Sequence, residues 1–389
     1  MIAAYSAAKL GHSVDLFEKN EKLGKKLYIT GKGRCNITND ADISDFFDQV
    51  ITNSNFLYSA FYTFPNTAVI ELLGDFGLPT KVERGGRVFP VSDKSSDVIN
   101  TLSKAMSSVG VHVYLRAKVQ NIIIEDKRAC GIVCNGESSR YDSVILATGG
   151  VSYPSTGSTG DGFAFAKSVG HHVTKLEASL IGLDTKPDVS SLAGLTLKNV
   201  NLSLLQDNQS VFSSQGEMLF THTGISGPLV LSASAHMDDT KSYTAAIDLK
   251  PALDEQTLDK RLVRDFSERA NQNFNNVLGG LLPGKLIDYV IAQIGIDADK
   301  KAHSITKLER KSLLQTLKAL PLAIQCKRGV KEAVITRGGV DVKEIDASTM
   351  QSKLCKGLYF AGEMIDVDAF TGGYNLQIAF STGYLAGAQ

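Results

Sequence analysis

Charge of either sign is missing as a surplus: 41 Lys and Arg face 41 Asp and Glu across 389 residues, for a net charge of zero. Chains that wrap nucleic acid or lie on anionic lipid lean on net positive charge, so the balance argues against both while leaving room for a local basic patch. There is also no Arg/Lys-rich segment, no internal repeat and no low-complexity tract. No run of about 18 or more apolar residues appears, the length that a membrane span requires. The N-terminus lacks the basic, apolar and small-residue order of a secretory signal. Cysteines are few and scattered (Cys35, Cys130, Cys134, Cys326 and Cys355), and no C-x-x-C pair exists. Zinc and iron–sulfur sites therefore have little support. Cys130 and Cys134 fall on one expected strand, where four residues span roughly 13 Å, too far for a disulfide. A reducing cytoplasm is the expected compartment. What remains is 43% hydrophobic and 21% charged, an ordinary globular balance. The length suffices for two or three domains with a substantial core.

Residues 2–10 (IAAYSAAKL) are Ala-rich and predict a helix that stops at Gly11. SVDLFEK (13–19) then reads as a strand, and the glycines of 24–39 predict an extended loop. A Ser/Asp start signal precedes a helical pattern over 95–109. VHVYLRAKV, NIIIED, ACGIVC and YDSVILATGG follow, a β-meander that returns the chain to a parallel sheet through a buried strand at 143–147. The character changes near 185. LKNVNLSLL (197–205), a turn at Asp207–Asn208, SVFS and GEMLFTH suggest antiparallel hairpins. Residues 254–320 look helical, with Leu308, Leu314 and Leu317 at core-facing spacing. KGLYFAGE (356–363) is a strand running into glycines, and YNLQIAFSTGYLAG (374–387) an apolar helix.

One absence is local. A helix, a Gly-His turn and a strand ending in Glu18 match the second half of a βαβ dinucleotide-binding unit. There an acidic residue about 20 positions beyond the glycine loop hydrogen-bonds the adenosine ribose. Counting back from Glu18 puts the last glycine of G-x-G-x-x-G immediately before Met1. The first strand and its glycine turn are thus expected to lie upstream of this start, unless residues 1–18 are an ordinary helix–strand pair.

Four further segments carry a resemblance: GKKLYITGKGRCNITN (24–39), GRVFPVSDKSSDV (86–98), LFTHTGISGP (219–228) and GLYFAGEMIDVDAFTGGYNLQIAFSTGYLAG (357–387). Together and in this order they resemble the BaiN-like flavoproteins, also described as aminoacetone oxidase family FAD-binding enzymes. The resemblance implies an α/β fold: a Rossmann-like FAD-binding domain of the two-dinucleotide-fold type, also seen in fumarate reductase flavoproteins. A β-barrel-like and helical region is inserted in it. Expected boundaries are 1–185 and 323–389 for the FAD domain, 186–253 for the β-rich insertion and 254–322 for the helical one. Strands near 323–340 can belong to either side. Lys32 departs from the family's usual glycine; it adds positive charge near the cofactor or points outward.

Residue by residue, Glu18 resembles the ribose-binding acid, which favours FAD or NAD over a 2′-phosphorylated cofactor. Gly31, Gly33, Arg34, Cys35 and Asn36 form a loop where backbone can approach a planar ring. The family's loop lies along the flavin. Arg34 suits bidentate phosphate pairing or is solvated, and Cys35 reads as a small buried residue rather than a redox thiol. The resemblance adds Lys25, Val119, Thr148, Gly149 and Gly150 to the FAD side. Asp161 is either a ligand contact or a helix cap. Gly362, Glu363, Gly372, Gly373, Tyr374, Asn375 and Leu376 complete the cofactor set. Glu363 is expected to accept from ribityl or ribose hydroxyls. The helix N-terminus near Tyr374, with its unpaired N–H groups, is expected to stabilise negative charge on the reduced flavin. His222, Arg337 and Tyr374 are the candidate catalytic residues, with a structural role as the alternative for His222. Ser226 and Pro228 look like a helix start, and His171–His172 like solvated surface.

The resulting expectation is an FAD-dependent oxidoreductase that moves hydride between a small organic substrate and flavin N5. The flavin is reoxidised by dioxygen or coupled to NAD(P)H, and neither a membrane span nor nucleic acid is involved. The rival is a non-catalytic remnant serving as a binding module. An RNA-modifying flavoenzyme is disfavoured by the zero net charge.

Overall fold

In the computed structural model, which describes residues 1–389 apart from the side chain at 330, the chain divides into two compact units. One contains Met1–Ser179 and Gly329–Gln389, the other Leu180–Arg328.

The first unit is held together around its last helix, Tyr374–Gly387. The opening helix, Ile2–Lys9, lies against it through small residues. A Cβ on Gly387 would stand 2.2 Å from the Ala3 carbonyl, and Ser6 Oγ donates to the Tyr384 carbonyl at 2.9 Å. Only glycine permits that approach. The polar side chains of the last helix are satisfied inside the core. Gln377 Oε1 accepts from Thr38 Oγ1 at 2.8 Å, its Nε2 donates to the Phe64 carbonyl at 3.0 Å, and Ser381 Oγ donates to the same carbonyl. Parallel pairing occurs as two separate ladders, Asp15–Glu18 with His112–Leu115 and Val144–Leu146 with Leu358–Phe360. The expected meander is present as Val119–Glu125, Arg128–Cys134 and Glu137–Arg140.

The second unit is a closed six-stranded barrel. Its strands, in order around the barrel, are Leu183–Thr185, Gly224–Ser226, Gln209–Phe220, Thr196–Gln206, Thr244–Asp248 and Leu320–Lys327. Alternate residues of the Thr196–Gln206 strand (Val200, Leu202, Leu204) point inward, as a period of two requires. Helices Glu255–Glu268, Gly284–Ile294 and Lys307–Lys318 add Leu258, Leu262, Leu286, Leu313 and Leu317 to the same apolar cluster.

Four local readings need correction. Residues 24–39 are not all extended: Lys25–Ile29 is one turn of helix, too short to show a period in sequence. Leu308 is 80% exposed, because the buried stripe of its helix is Leu313 and Leu317. Five positions before Leu313 lies about 140° around the helix. His171 is buried, not solvated: Glu344 Oε2 lies 2.9 Å from Nδ1 and Ser352 Oγ 2.7 Å from Nε2. Burial outweighs the neighbouring carboxylate and lowers its pKa from the ordinary value. Ser226 caps nothing; the helix Pro228–Ser234 begins after Gly227, whose φ is 98°, and Pro228 occupies its first position.

Candidate cofactor site

The sequence-predicted residues gather into three groups within the first unit. The first surrounds Gly150, where the strand Val144–Leu146 breaks into glycines. Glu363, on the turn after Leu358–Phe360, reaches this point and is fully engaged by the protein. Its Oε2 accepts from Lys26 Nζ at 2.5 Å; its Oε1 accepts from Ser152 Oγ at 3.0 Å and from the Thr336 N–H at 2.8 Å. Lys26 also donates to Ser152 Oγ at 2.6 Å. A Cβ on Gly150 would lie 2.3 Å from Thr336 Oγ1 and 2.8 Å from Glu363 Oε1, so the carboxylate presses on bare backbone. Thr148 Oγ1 approaches Met364 Sδ at 3.1 Å, and the Gly362 N–H donates to Thr382 Oγ1 at 3.0 Å.

The second group is the loop after Ile29. Gly31 and Gly33 have φ of 56° and 84°. An added Cβ would meet the Asn36 N at 2.9 Å in the first case and nothing within 4 Å in the second. Lys32 is exposed with φ 59°. Arg34 is partly exposed rather than free: Glu83 and Asp93 take its guanidinium, which stacks 4.2 Å from the Phe89 ring centroid. Cys35 is wholly buried, and burial pushes its thiol up to about 12. A thiol so placed is inert at neutral pH. Iodoacetamide is therefore expected to modify exposed Cys326 in the folded protein and leave Cys35 untouched, as peptide mass mapping would read. Labelling of both at comparable rates would contradict the burial argument.

The third group is the start of the last helix. Gly373, with φ 104°, precedes Tyr374, and its missing Cβ would sit 2.3 Å from the Thr38 carbonyl oxygen. Asn375 is a loop clamp: Oδ1 accepts from the Ala369 N–H and Nδ2 donates to the Ala369 and Phe370 carbonyls. The Tyr374 ring packs edge-on to Phe46 at 4.9 Å, under a Gly372 whose Cβ would strike the ring at 2.7 Å. Leu376 is partly buried against the core.

The remaining candidates are scattered. Glu18 ends its strand with Oε1 accepting from the Asn20 N–H and Nδ2, both at 2.8 Å. Lys25 turns to Glu21 at 3.4 Å. Val119 opens its strand opposite Cys134. Gly149 has φ 75° and open space beside it except for Ser158 Oγ at 3.4 Å. Asp161 is the first residue of the helix Asp161–Ser168, makes no cap and pairs with Lys19 at 2.8 Å. Arg337 lies 3.3 Å from buried Asp368. His222 belongs to the barrel unit and is exposed. Sequence reasoning missed Lys26, Ser152 and Thr336. Their only signal was the choice between adjacent lysines, which the unforeseen helical turn decides by pointing them about 100° apart.

These surroundings fit a flavin nucleotide. Asn36 Oδ1 is buried with no hydrogen-bond partner among the described residues, a costly state that a bound donor relieves. Gly33 and Gly149 leave open space beside backbone, and the last helix presents an N-terminus near Thr38.

Comparison with known proteins agrees. The chain is 31% identical to a 3-dehydro-bile acid delta(4,6)-reductase of Clostridium scindens, covering 100% of this chain and 95% of that protein. It is also 31% identical to a ribosomal RNA dihydrouridine synthase of Haemophilus influenzae, covering 99% and 94%. A flavocytochrome c3 fumarate reductase shares the fold with a TM-score of 0.52 at 18% identity, over 100% of this chain and 75% of that one. No helix among the described residues is long and apolar enough to cross a membrane. The HI0933-like protein Rossmann domain matches residues 1–389 from end to end. The chain therefore belongs to the HI0933-like Rossmann-domain family of flavin-dependent oxidoreductases, with FAD, as its sequence motifs imply, for cofactor.

Proposed function

We propose that the protein reduces a carbon–carbon double bond conjugated to a carbonyl group, with NAD(P)H as the source of reducing equivalents. One observation carries this reading. Two relatives, equally similar to the chain, are named for unlike molecules that undergo the same bond change. A 3-oxo steroid acid with 4,6 unsaturation and a uracil ring each hold an alkene polarised by a carbonyl, and each name denotes its saturation. FAD, when bound, would supply hydride chemistry, with the electron-poor alkene carbon as the acceptor and solvent as the source of the proton for the carbon beside the carbonyl.

The chain's own residues set up this step. Asn36 Oδ1 offers the unspent acceptor beside the glycine loop. The last helix places its positive N-terminal end next to the same loop through Gly373 and Thr38, where developing negative charge is favoured. Lys26, clamped between Ser152 and Glu363, holds the Gly150 turn in shape. Both alkenes are neutral, and the equal counts of basic and acidic residues supply no surplus for a phosphate backbone, which favours a free small molecule over RNA.

The test gives the FAD-loaded protein NADPH and, in separate anaerobic reactions, a conjugated cyclic ketone and an unmodified ribosomal RNA fragment. Mass spectrometry then seeks the gain of a pair of hydrogens. Gain on the ketone is the expected result. Gain on the RNA alone moves the substrate to uridine, and gain on neither rejects the reading.

A further inference from the structure

Just past the helix Asp161–Ser168 the first unit carries a hydrogen-bonded chain that the cofactor reading does not use. The Ser352 hydroxyl, the His171 imidazole and the Glu344 carboxylate stand in line: Ser352 Oγ lies 2.7 Å from Nε2, and Glu344 Oε2 lies 2.9 Å from Nδ1. The same Oε2 accepts from the His172 N–H at 2.9 Å. Ser352 Oγ accepts from the Leu354 N–H at 3.0 Å and from the Cys355 N–H at 2.9 Å.

Counting lone pairs assigns the protons. A serine oxygen has two, and the N–H groups of Leu354 and Cys355 occupy both. Only the hydroxyl hydrogen is left for the imidazole, so Nε2 accepts it and Nδ1–H donates to Glu344. The histidine is therefore neutral, which agrees with burial lowering its pKa. Hydroxyl, imidazole and carboxylate in this order also make a nucleophile triad. Here, however, Ser352 is 4% exposed and the His171 side chain 0%, with Phe360 packed edge-to-face on the ring at 4.9 Å. No substrate carbonyl reaches that hydroxyl.

A second proton on the ring would sit on Nε2 and face an oxygen with no lone pair to offer. Either that contact breaks or the turn N–H groups lose their acceptor. The turn lines the strand Leu358–Phe360: the Ser352 N–H donates to the Leu358 carbonyl at 2.7 Å, and the Phe360 N–H to the Met350 carbonyl at 3.0 Å. That strand leads into Glu363. We propose that His171, with Ser352 and Glu344, is a proton-operated latch that holds segment 350–355 on this strand at neutral pH and releases it in mild acid. Among the described residues Glu344 is the one charged group acting on the imidazole. Asp341 lies 3.8 Å from His172 instead, Lys353 donates to the Lys343 carbonyl, and Lys167 on the helix makes no bond to the ring. Opening restores the imidazole's ordinary pKa of about 6.5, above its closed value, so falling pH favours the released segment from there downward.

Thiol labelling of the full chain with 4,4′-dithiodipyridine, mapped by peptide mass, reads the latch. Cys355 lies in the held segment and is 2% exposed, Cys326 is exposed, and Cys35 is wholly buried in a separate apolar cluster of the same unit. The ratio of Cys355 to Cys326 labelling cancels the pH dependence that the two thiols share. Between about pH 7.5 and 5.5 it is expected to rise several-fold while Cys35 stays protected, with about tenfold as the ceiling one unit below an ordinary imidazole pKa. His171→Gln, which offers an acceptor and a donor but takes no proton, is expected to show no rise. Glu344→Gln, on a side chain 26% exposed, removes the charge that favours a proton on the closed ring, so its rise is expected to exceed the wild type's. This second variant carries the test if the first fails to fold. A flat wild-type ratio, or a rise in Glu344→Gln no greater than the wild type's, would overturn the latch. So would Cys35 labelled in step with Cys355, which marks global unfolding. An equal rise in folded His171→Gln would do the same, by moving the effect to another acid such as Asp366, whose carboxyl burial pushes up.

Discussion

Gly373→Ala is expected to lose bound FAD and to be less stable by about 4 kcal/mol, a sum of left-handed backbone strain and overpacking against a fixed neighbour. The residue has φ 104°, and the new methyl would overlap the Thr38 carbonyl oxygen at 2.3 Å. Thr38 has little freedom to retreat, since it pairs with Val88 and its hydroxyl donates to Gln377. The helix start would have to move away from the loop that carries Asn36. Gly33→Ala is the control: its φ of 84° is also strained for alanine, but nothing lies within 4 Å of the new Cβ. Its cost should be about 1 kcal/mol, with FAD retained. Flavin absorbance after gel filtration, together with urea unfolding of both variants, reads the difference. Equal behaviour of the two would mean that strain alone, and not the contact with Thr38, governs the position.

Lys26→Met is expected to destabilise the protein by roughly 2 kcal/mol, below the ~3–5 of a fully buried ion pair because the lysine keeps 24% of its side-chain exposure. The loss comes from leaving Glu363, whose side chain is only 12% exposed, with a charge that Ser152 and the Thr336 N–H must hold alone. Glu363→Gln should cost less by itself, and the double variant should recover part of the lysine's loss. A double-mutant cycle on unfolding free energies measures that coupling. Additive single effects would show that the contact contributes no net stability and that Lys26 does not hold the Gly150 turn.

Long elements with internal signals were legible in the sequence. The helix over 374–387 and the strand ending at Glu18 occur where glycine stops and apolar runs placed them, and a β-rich then helical insertion preceded the return to the first unit. What was not legible depends on partners far along the chain. Glu363 looked like a hydroxyl acceptor because sequence could not show that Lys26, 337 positions earlier, already holds it. Arg34 looked like a phosphate ligand because Glu83 and Asp93 lie 49 and 59 positions away. Asn375 and Asp161 carry the same lesson: each sits where its motif put it, but one clamps a loop and the other pairs with Lys19. His171 and Leu308 failed for a simpler reason. The burial of a single side chain depends on what packs against its element, and no local pattern records that.

The proposed reaction delivers hydride from the flavin to a carbonyl-conjugated alkene. Its most direct measurement is anaerobic stopped-flow absorbance of the protein with its FAD already reduced. On mixing with a conjugated ketone, the oxidised-flavin band should return in a single turnover; on mixing with the corresponding saturated ketone, it should not. Return of the band only with dioxygen, and never with the conjugated ketone, would contradict the account.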